Sequence, residues 1–280
     1  MEQRMITTYC LIEEFMKSIE YKDHVLSEIT ASEVLFIGYL AVSDFNGNYF
    51  KAHHYVMGMK LVTAIEYSRF IRRLNKLETI IERLFLFLST VFRKLNGSQI
   101  YSVDSFPVEM CKIEREKSSK LWRDISLKGY NASKRKFFYG FKVHMTVTTN
   151  HEPVSFYISD GSMHDVTASY AFLSNLPRNS IVIGDKGYIS GKLESFLAKF
   201  GIKLSAIQRK NMENDSDHKV KRKIRKGVET AFSVITAKFG KVIKATSIRG
   251  FLVKLKLFIL AYGIDKFFKL SKSQQKLAFN

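Results

Sequence analysis

The sequence predicts an α/β domain, a mixed five-stranded sheet with flanking helices, preceded by a helical domain. Three observations carry this expectation. Apolar residues recur at helical spacing up to about residue 95. Beyond Asn96-Gly97-Ser98 short alternating stretches take over, and later ones are separated by helical segments. The expected division is 1–98 for the helical domain and 99–280 for the sheet. With 280 residues and 46% hydrophobic content, the chain can bury two cores and is too apolar to be mainly disordered.

ASEVLFIGYLAV and FKAHHYVMGMKLVTAIEY have helical composition, with DFNGN as the loop between them. From Phe70 the positions Phe70, Leu74, Leu77, Ile81, Leu84, Leu88, Val91 and Leu95 step by four and three, which predicts one long amphipathic helix. Ile71, Ile80, Phe85, Phe87 and Phe92 make the apolar surface too wide for a coiled-coil seam, so it fits a bundle. YSVDSFPV then runs β-prone residues into Asp104, with Pro107 expected to stop the strand. In GFKVHMTVTT, Phe141, Val143, Met145 and Val147 alternate with Lys142, His144, Thr146 and Thr148, as a strand with one buried face would. PVSFYIS is a further strand. HDVTASYAFLSNL is helical, SIVIGD a strand, GKLESFLAKFG a helix, IKLSAIQ a strand, and KVKRKIRKGVETAFSVITAKFG a basic helix. FLVKLKLFILAYGIDKFF carries Lys254, Lys256, Asp265 and Lys266, which makes it a buried helix and not a membrane span.

Charge divides the chain more sharply than hydropathy. The formal net charge is +19, yet residues 1–98 hold 12 basic against 11 acidic side chains, while the rest holds 33 against 15. A surplus so lopsided points to a polyanion partner, with nucleic acid the commonest. The runs Lys112 to Lys136 and Lys203 to Lys226 concentrate it. Within them Lys134, Arg135, Lys136, Arg209, Lys210, Arg222 and Arg225 are candidate phosphate contacts. The N-terminus MEQRMITTYCLIEEF lacks the basic start of an export signal. Cys10 and Cys111 are too few and too far apart for a disulfide framework or a zinc site. A cytoplasmic, DNA-associated protein is expected.

Against this basic background two strands end on carboxylates, Asp104 in YSVDSFPV and Asp185 in SIVIGDKGY. A helical crossover that lays the second strand parallel to the first would bring both to one sheet edge, where two like charges require a proton or cation between them. A third acid, Glu229, flanks the apolar stripe Ile224, Val228, Ala231, Phe232, Ile235 and Phe239 of the basic helix. The competing explanation for Glu229 is a surface ion pair with Arg225, four residues before it. Gly227 weakens this helix without evident need.

Taken together, YSVDSFPV, GYNASKRKFFYGFKVHMTVTT, DGSMHDV, IVIGDKGY, GVETAFSVI and LFILAYG resemble the DDE transposases of bacterial insertion sequences, specifically the insertion-sequence 982 family. The resemblance covers residues 100 to about 265, and the N-terminal region more loosely. It implies an RNase H-like fold with Asp104, Asp185 and Glu229 as catalytic, metal-holding triad. It also implies magnesium, with manganese as a substitute, and double-stranded DNA as partner at the element ends and the target. The expected reaction is cleavage at those ends and strand transfer, by a homo-oligomer on DNA. The wider signature around the glutamate has Tyr seven before, Arg four before and Lys seven after. Here those places hold Arg222, Arg225 and Thr236, with Lys238 two residues late. His144, His164 and Asp165 also lie in these stretches but are assigned no catalytic role, since a lone strand histidine or an HD pair at a helix start is more often structural. Two rival functions stand beside the transposase: an RNase H-like nuclease without strand transfer, and a non-catalytic DNA-binding protein derived from a transposase.

Overall fold

A computed structural model describes residues 2–115, 127–131, 135–207, 218–239 and 243–276. Five helices come first: α1 (Glu2–Ser18), α2 (Ala31–Ser43), α3 (Tyr49–Gly58), α4 (Tyr67–Lys76) and α5 (Glu78–Leu95). Then follow β1 (Ile100–Cys111), β2 (Lys128–Asn131), β3 (Lys136–Thr148), β4 (Pro153–Asp160), α6 (Asp165–Phe172), β5 (Ile181–Gly184), α7 (Gly191–Ala198) and β6 (Lys203–Ala206). The chain closes with α8 (His218–Ala237), α9 (Ile248–Phe267) and α10 (Lys272–Lys276). No helix among the described residues is long and apolar enough to cross a membrane.

Two compact units form, and neither is continuous in sequence. Met1–Phe87 joins Ile235–Lys269, and Leu88–Val234 joins Leu270–Asn280, whereas the sequence was expected to divide once, after residue 98. The returning segment is explained by α9, whose residues are apolar on every side and find cover against α2 and α4. In this helical unit α2 is also buried all round. It starts with a capping box, in which Thr30 Oγ1 accepts from Glu33 N at 3.2 Å and Glu33 Oε2 accepts from Thr30 N at 2.7 Å.

Two helical expectations were too long. FKAHHYVMGMKLVTAIEY stays helical only to Gly58. Lys60 then takes φ 51, the left-handed form that ends helices, and Glu66 starts α4 by accepting from the N–H groups of Ser68 and Arg69. The long helix from Phe70 breaks at Leu77, whose φ −86 and ψ 13 leave the helical range while its side chain stays buried. An unbroken apolar period cannot reveal such a break, because both helices keep the same spacing.

The second unit is built on a six-stranded mixed sheet. β3 pairs antiparallel with β1 along one edge, and its other edge is shared by β2 and β4. On the far side of β1, β5 and then β6 run parallel to it. Antiparallel strands first, then parallel strands added through helical crossovers, is an RNase H-like arrangement. It has one strand more than expected, because β2 is only four residues long. Pro107 does not stop β1, which continues to Cys111 opposite β3. β5 pairs with β1 only at Ile100–Ser102, so beyond that the side of β1 is open and a missing N–H costs no ladder bond. β3 buries both faces rather than one. His144, Thr146 and Thr148 are buried as well, with α6 packed on His144 through Phe172, whose ring lies 6.2 Å from it.

Candidate active site

Parallel pairing of β1 and β5 brings Asp104 and Asp185 to one edge of the sheet. Gly184 precedes Asp185 because the Tyr188 side chain packs against it, and a Cβ there would lie 2.9 Å from Tyr188 Cβ and 3.0 Å from the ring at Cγ. Asp185 then caps the short helical turn Lys186–Tyr188, its Oδ1 accepting from Gly187 N at 2.7 Å. Gly187 serves close approach and not a left-handed turn, since a Cβ on it would stand 2.9 Å from Asp185 Oδ1.

α8 reaches the same edge. Phe232 lies against Phe106 with ring centroids 4.5 Å apart, and Val228, Ala231 and Phe232 are buried as the apolar stripe predicts. Glu229 is thereby carried past Asp104. Gly227 has a structural reason after all: a Cβ there would meet His151 Cδ2 at 2.7 Å. Arg225 makes the expected pair with Glu229, Nη2 to Oε1 at 2.6 Å, but its Nη1 also donates to Asp104 Oδ2 at 3.1 Å. The guanidinium therefore bridges strand and helix, joining two carboxylates 125 positions apart in sequence. Glu229 is thus linked to Asp104 through Arg225, while its own side chain stays 45% exposed.

Asp104 shows how much negative charge is gathered here. Burial first, and then the charges of Asp185 and Asp165, push its pKa up to about 7, against the opposing Ser105 N–H and Arg225. Asp165 was assigned no catalytic role from sequence, yet it sits inside this electrostatic neighbourhood together with Lys142 and His144. The usable sign was its place directly after His164 at a helix start, a pattern common enough to hide it.

Among the described residues, no three His, Cys, Asp or Glu side chains stand close enough to hold one ion. Carboxylates are nevertheless the donor type that suits a hard divalent cation, and the Arg225 guanidinium already supplies positive charge between Asp104 and Glu229.

The candidate phosphate contacts are distributed unevenly. Arg222 and Arg225 line a groove of about 410 Å³ along α8 with Lys219, Lys223, Lys226 and Glu229. Arg135 occupies an exposed turn with φ 49, and Lys136 is paired to Glu109 at 2.8 Å. Lys134, Arg209 and Lys210 lie outside the described residues. Lys238 is taken up elsewhere, donating to Asp265 Oδ2 at 2.6 Å in the helical unit. Neither Cys10 nor Cys111 forms a disulfide among the described residues.

Residues 94–243, more than half of the chain and all three candidate acids, match the family described as Transposase DDE domain. The chain belongs to that family. No curated protein matches it in sequence. Among solved structures it is similar to the piggyBac transposase synaptic complex with hairpin DNA, determined by cryo-EM. The identity is 10% over 98% of this chain and 76% of that one, with a TM-score of 0.48. As a DDE-domain transposase, the protein has its candidate acids on β1, after β5 and on α8.

Proposed function

We propose that the protein cleaves DNA at the ends of an insertion sequence and transfers the freed strand into target DNA, as a member of the insertion-sequence 982 group. The observation that carries this reading is the Arg225 bridge, which links Asp104 to Glu229 on the sheet edge that also bears Asp185. Asp104, Asp185 and Glu229 would hold divalent ions, magnesium or in its place manganese, once Arg225 lets go of its two carboxylates. Such ions, when bound, supply Lewis acidity at the attacking and leaving oxygens of the phosphodiester. The chain's own residues do the rest. The basic groove of α8 would hold phosphates and orient the duplex, and Arg225, released from Asp104, is placed to turn to a phosphate oxygen. The helical segment 1–98 would recognise the element's ends or contact a second subunit on DNA.

The test is cleavage and joining on short duplexes carrying the element's ends. Magnesium and manganese should support both steps, whereas calcium should permit binding with little chemistry. Glu229→Ala should lose cleavage by about 1,000-fold or more while still binding DNA. Near wild-type cleavage by that variant would reduce Glu229 to an ion-pair partner of Arg225. Cleavage without joining would make the protein a nuclease, and binding with no cleavage in any metal a DNA-binding derivative.

A further inference from the structure

Asp165, the first residue of α6, is held asymmetrically. Its Oδ1 accepts from Ser105 Oγ at 2.9 Å, lies 3.5 Å from Lys142 Nζ and faces His144 Nδ1 at 3.7 Å. Ser105 directly follows Asp104 on β1, and His144 is its register partner on β3. The His144 side chain is fully buried. Its Nε2 lies 2.8 Å from Ser159 Oγ, while Nδ1 has no hydrogen-bond partner among the described residues and is aimed at Asp165. Burial keeps this ring neutral. The other carboxylate oxygen is treated differently. Oδ2 accepts no hydrogen bond among the described residues and, like Asp185 Oδ1, lies beside Gly187. A Cβ on Gly187 would stand 3.6 Å from Asp165 Oδ2 and 2.9 Å from Asp185 Oδ1. A helix-start aspartate has no use for such an arrangement, since a favourable charge at the helix dipole needs neither Ser105 nor Lys142.

We propose that Asp165 is a fourth carboxylate of the catalytic centre, oriented through Oδ1 by Ser105 and Lys142 so that Oδ2 joins Asp185 in holding a divalent cation, directly or through one water. This rests on the metal-holding role of the triad. Lys142, anchored by donating to Met163 O at 2.7 Å, offsets part of the added charge from its place 3.5 Å from Oδ1.

The experiment is a titration of the full-length protein with Mn²⁺ alone, without DNA, following free Mn²⁺ by electron paramagnetic resonance. Asp165→Asn keeps an oxygen for Ser105 and Lys142 but loses the charge at Oδ2. It should weaken Mn²⁺ binding by about 10- to 100-fold, the usual scale for groups supporting a metal site. Its metal-free melting temperature should be unchanged or higher, because clustered negative charge is relieved. Asp104→Asn is the reference. If Asp104→Asn loses Mn²⁺ and Asp165→Asn binds it like wild type, Asp165 is a helix-start residue and the proposal falls alone. Wild-type binding by Asp104→Asn would overturn the triad reading itself. Should Asp165→Asn fail to fold, Ser105→Ala decides, because it unfixes Oδ1 and leaves the charge. Weaker Mn²⁺ binding supports the proposal and unchanged binding overturns it.

Discussion

Carboxylates of the helical unit such as Glu78, Asp23 and Asp265 have cations to match them, whereas those at the acid centre outnumber theirs. Lys256 and Arg249 answer Glu78 and Glu82, Arg73 answers Asp23, and Lys238 answers Asp265. At the edge of the sheet, Asp104, Asp165, Asp185 and Glu229 have Arg225 and Lys142 as the cations that reach them. Matched pairs hold helices in place at little electrostatic cost. A surplus of carboxylates makes the folded state less stable than it could be, and it is useful where positive charge arrives from outside the chain. Stability and chemistry are thus served by the same residue types under opposite charge balance.

Breaking a matched pair should have the largest effect on stability. Lys256→Ala removes the ammonium shared by Glu78 and Glu82, leaving Glu78 only Arg249, and should cost about 2 kcal/mol in denaturant unfolding, the scale of charged hydrogen bonds lost from a partly buried site. Added Mn²⁺ should not restore it. Arg225→Ala should behave differently. Removing the bridge should cost about 1 kcal/mol in the metal-free protein, and millimolar Mn²⁺ should recover it, since an ion can take the place of the guanidinium. Equal loss with and without Mn²⁺ would erase the distinction between the two units. The smallest effect is a slope with pH. Asp104 keeps its proton up to about 7 in the folded chain, above its ordinary value when unfolded. The stability linked to that proton is complete below the ordinary carboxylate pKa and is lost as pH rises through about 7. Metal-free wild type should therefore lose melting temperature relative to Asp104→Asn between about pH 5 and 8. Parallel curves would show that the carboxylate is not held protonated.

Much of the chain was legible because its signals are local. The helical composition of α2, the buried run of α9, the run into Asp185 and the stripe of α8 each depend on residues within a few turns of one another. Chain order allowed a crossover to lay β5 beside β1, and the structure shows the two paired in parallel. The local signals are short-range facts about propensity and period, and the amino-acid sequence determines them unaided. It also determined where the charge lies, because counting needs no coordinates.

Tertiary structure decided everything that depends on two distant segments meeting. Only packing shows that β3 is covered on both faces, that Pro107 sits beside an open edge, and that α9 completes the unit begun by α1 to α4. Gly227 looked unexplained until His151 was found against it. Asp165 looked like an ordinary helix start until β1 and β3 brought Ser105, Lys142 and His144 to one of its oxygens. The pair of Arg225 and Glu229 was predictable from helical spacing, but its extension to Asp104 was not, because the Coulomb energy of a group depends on spatial distance and burial. Neither quantity can be read from separation along the chain.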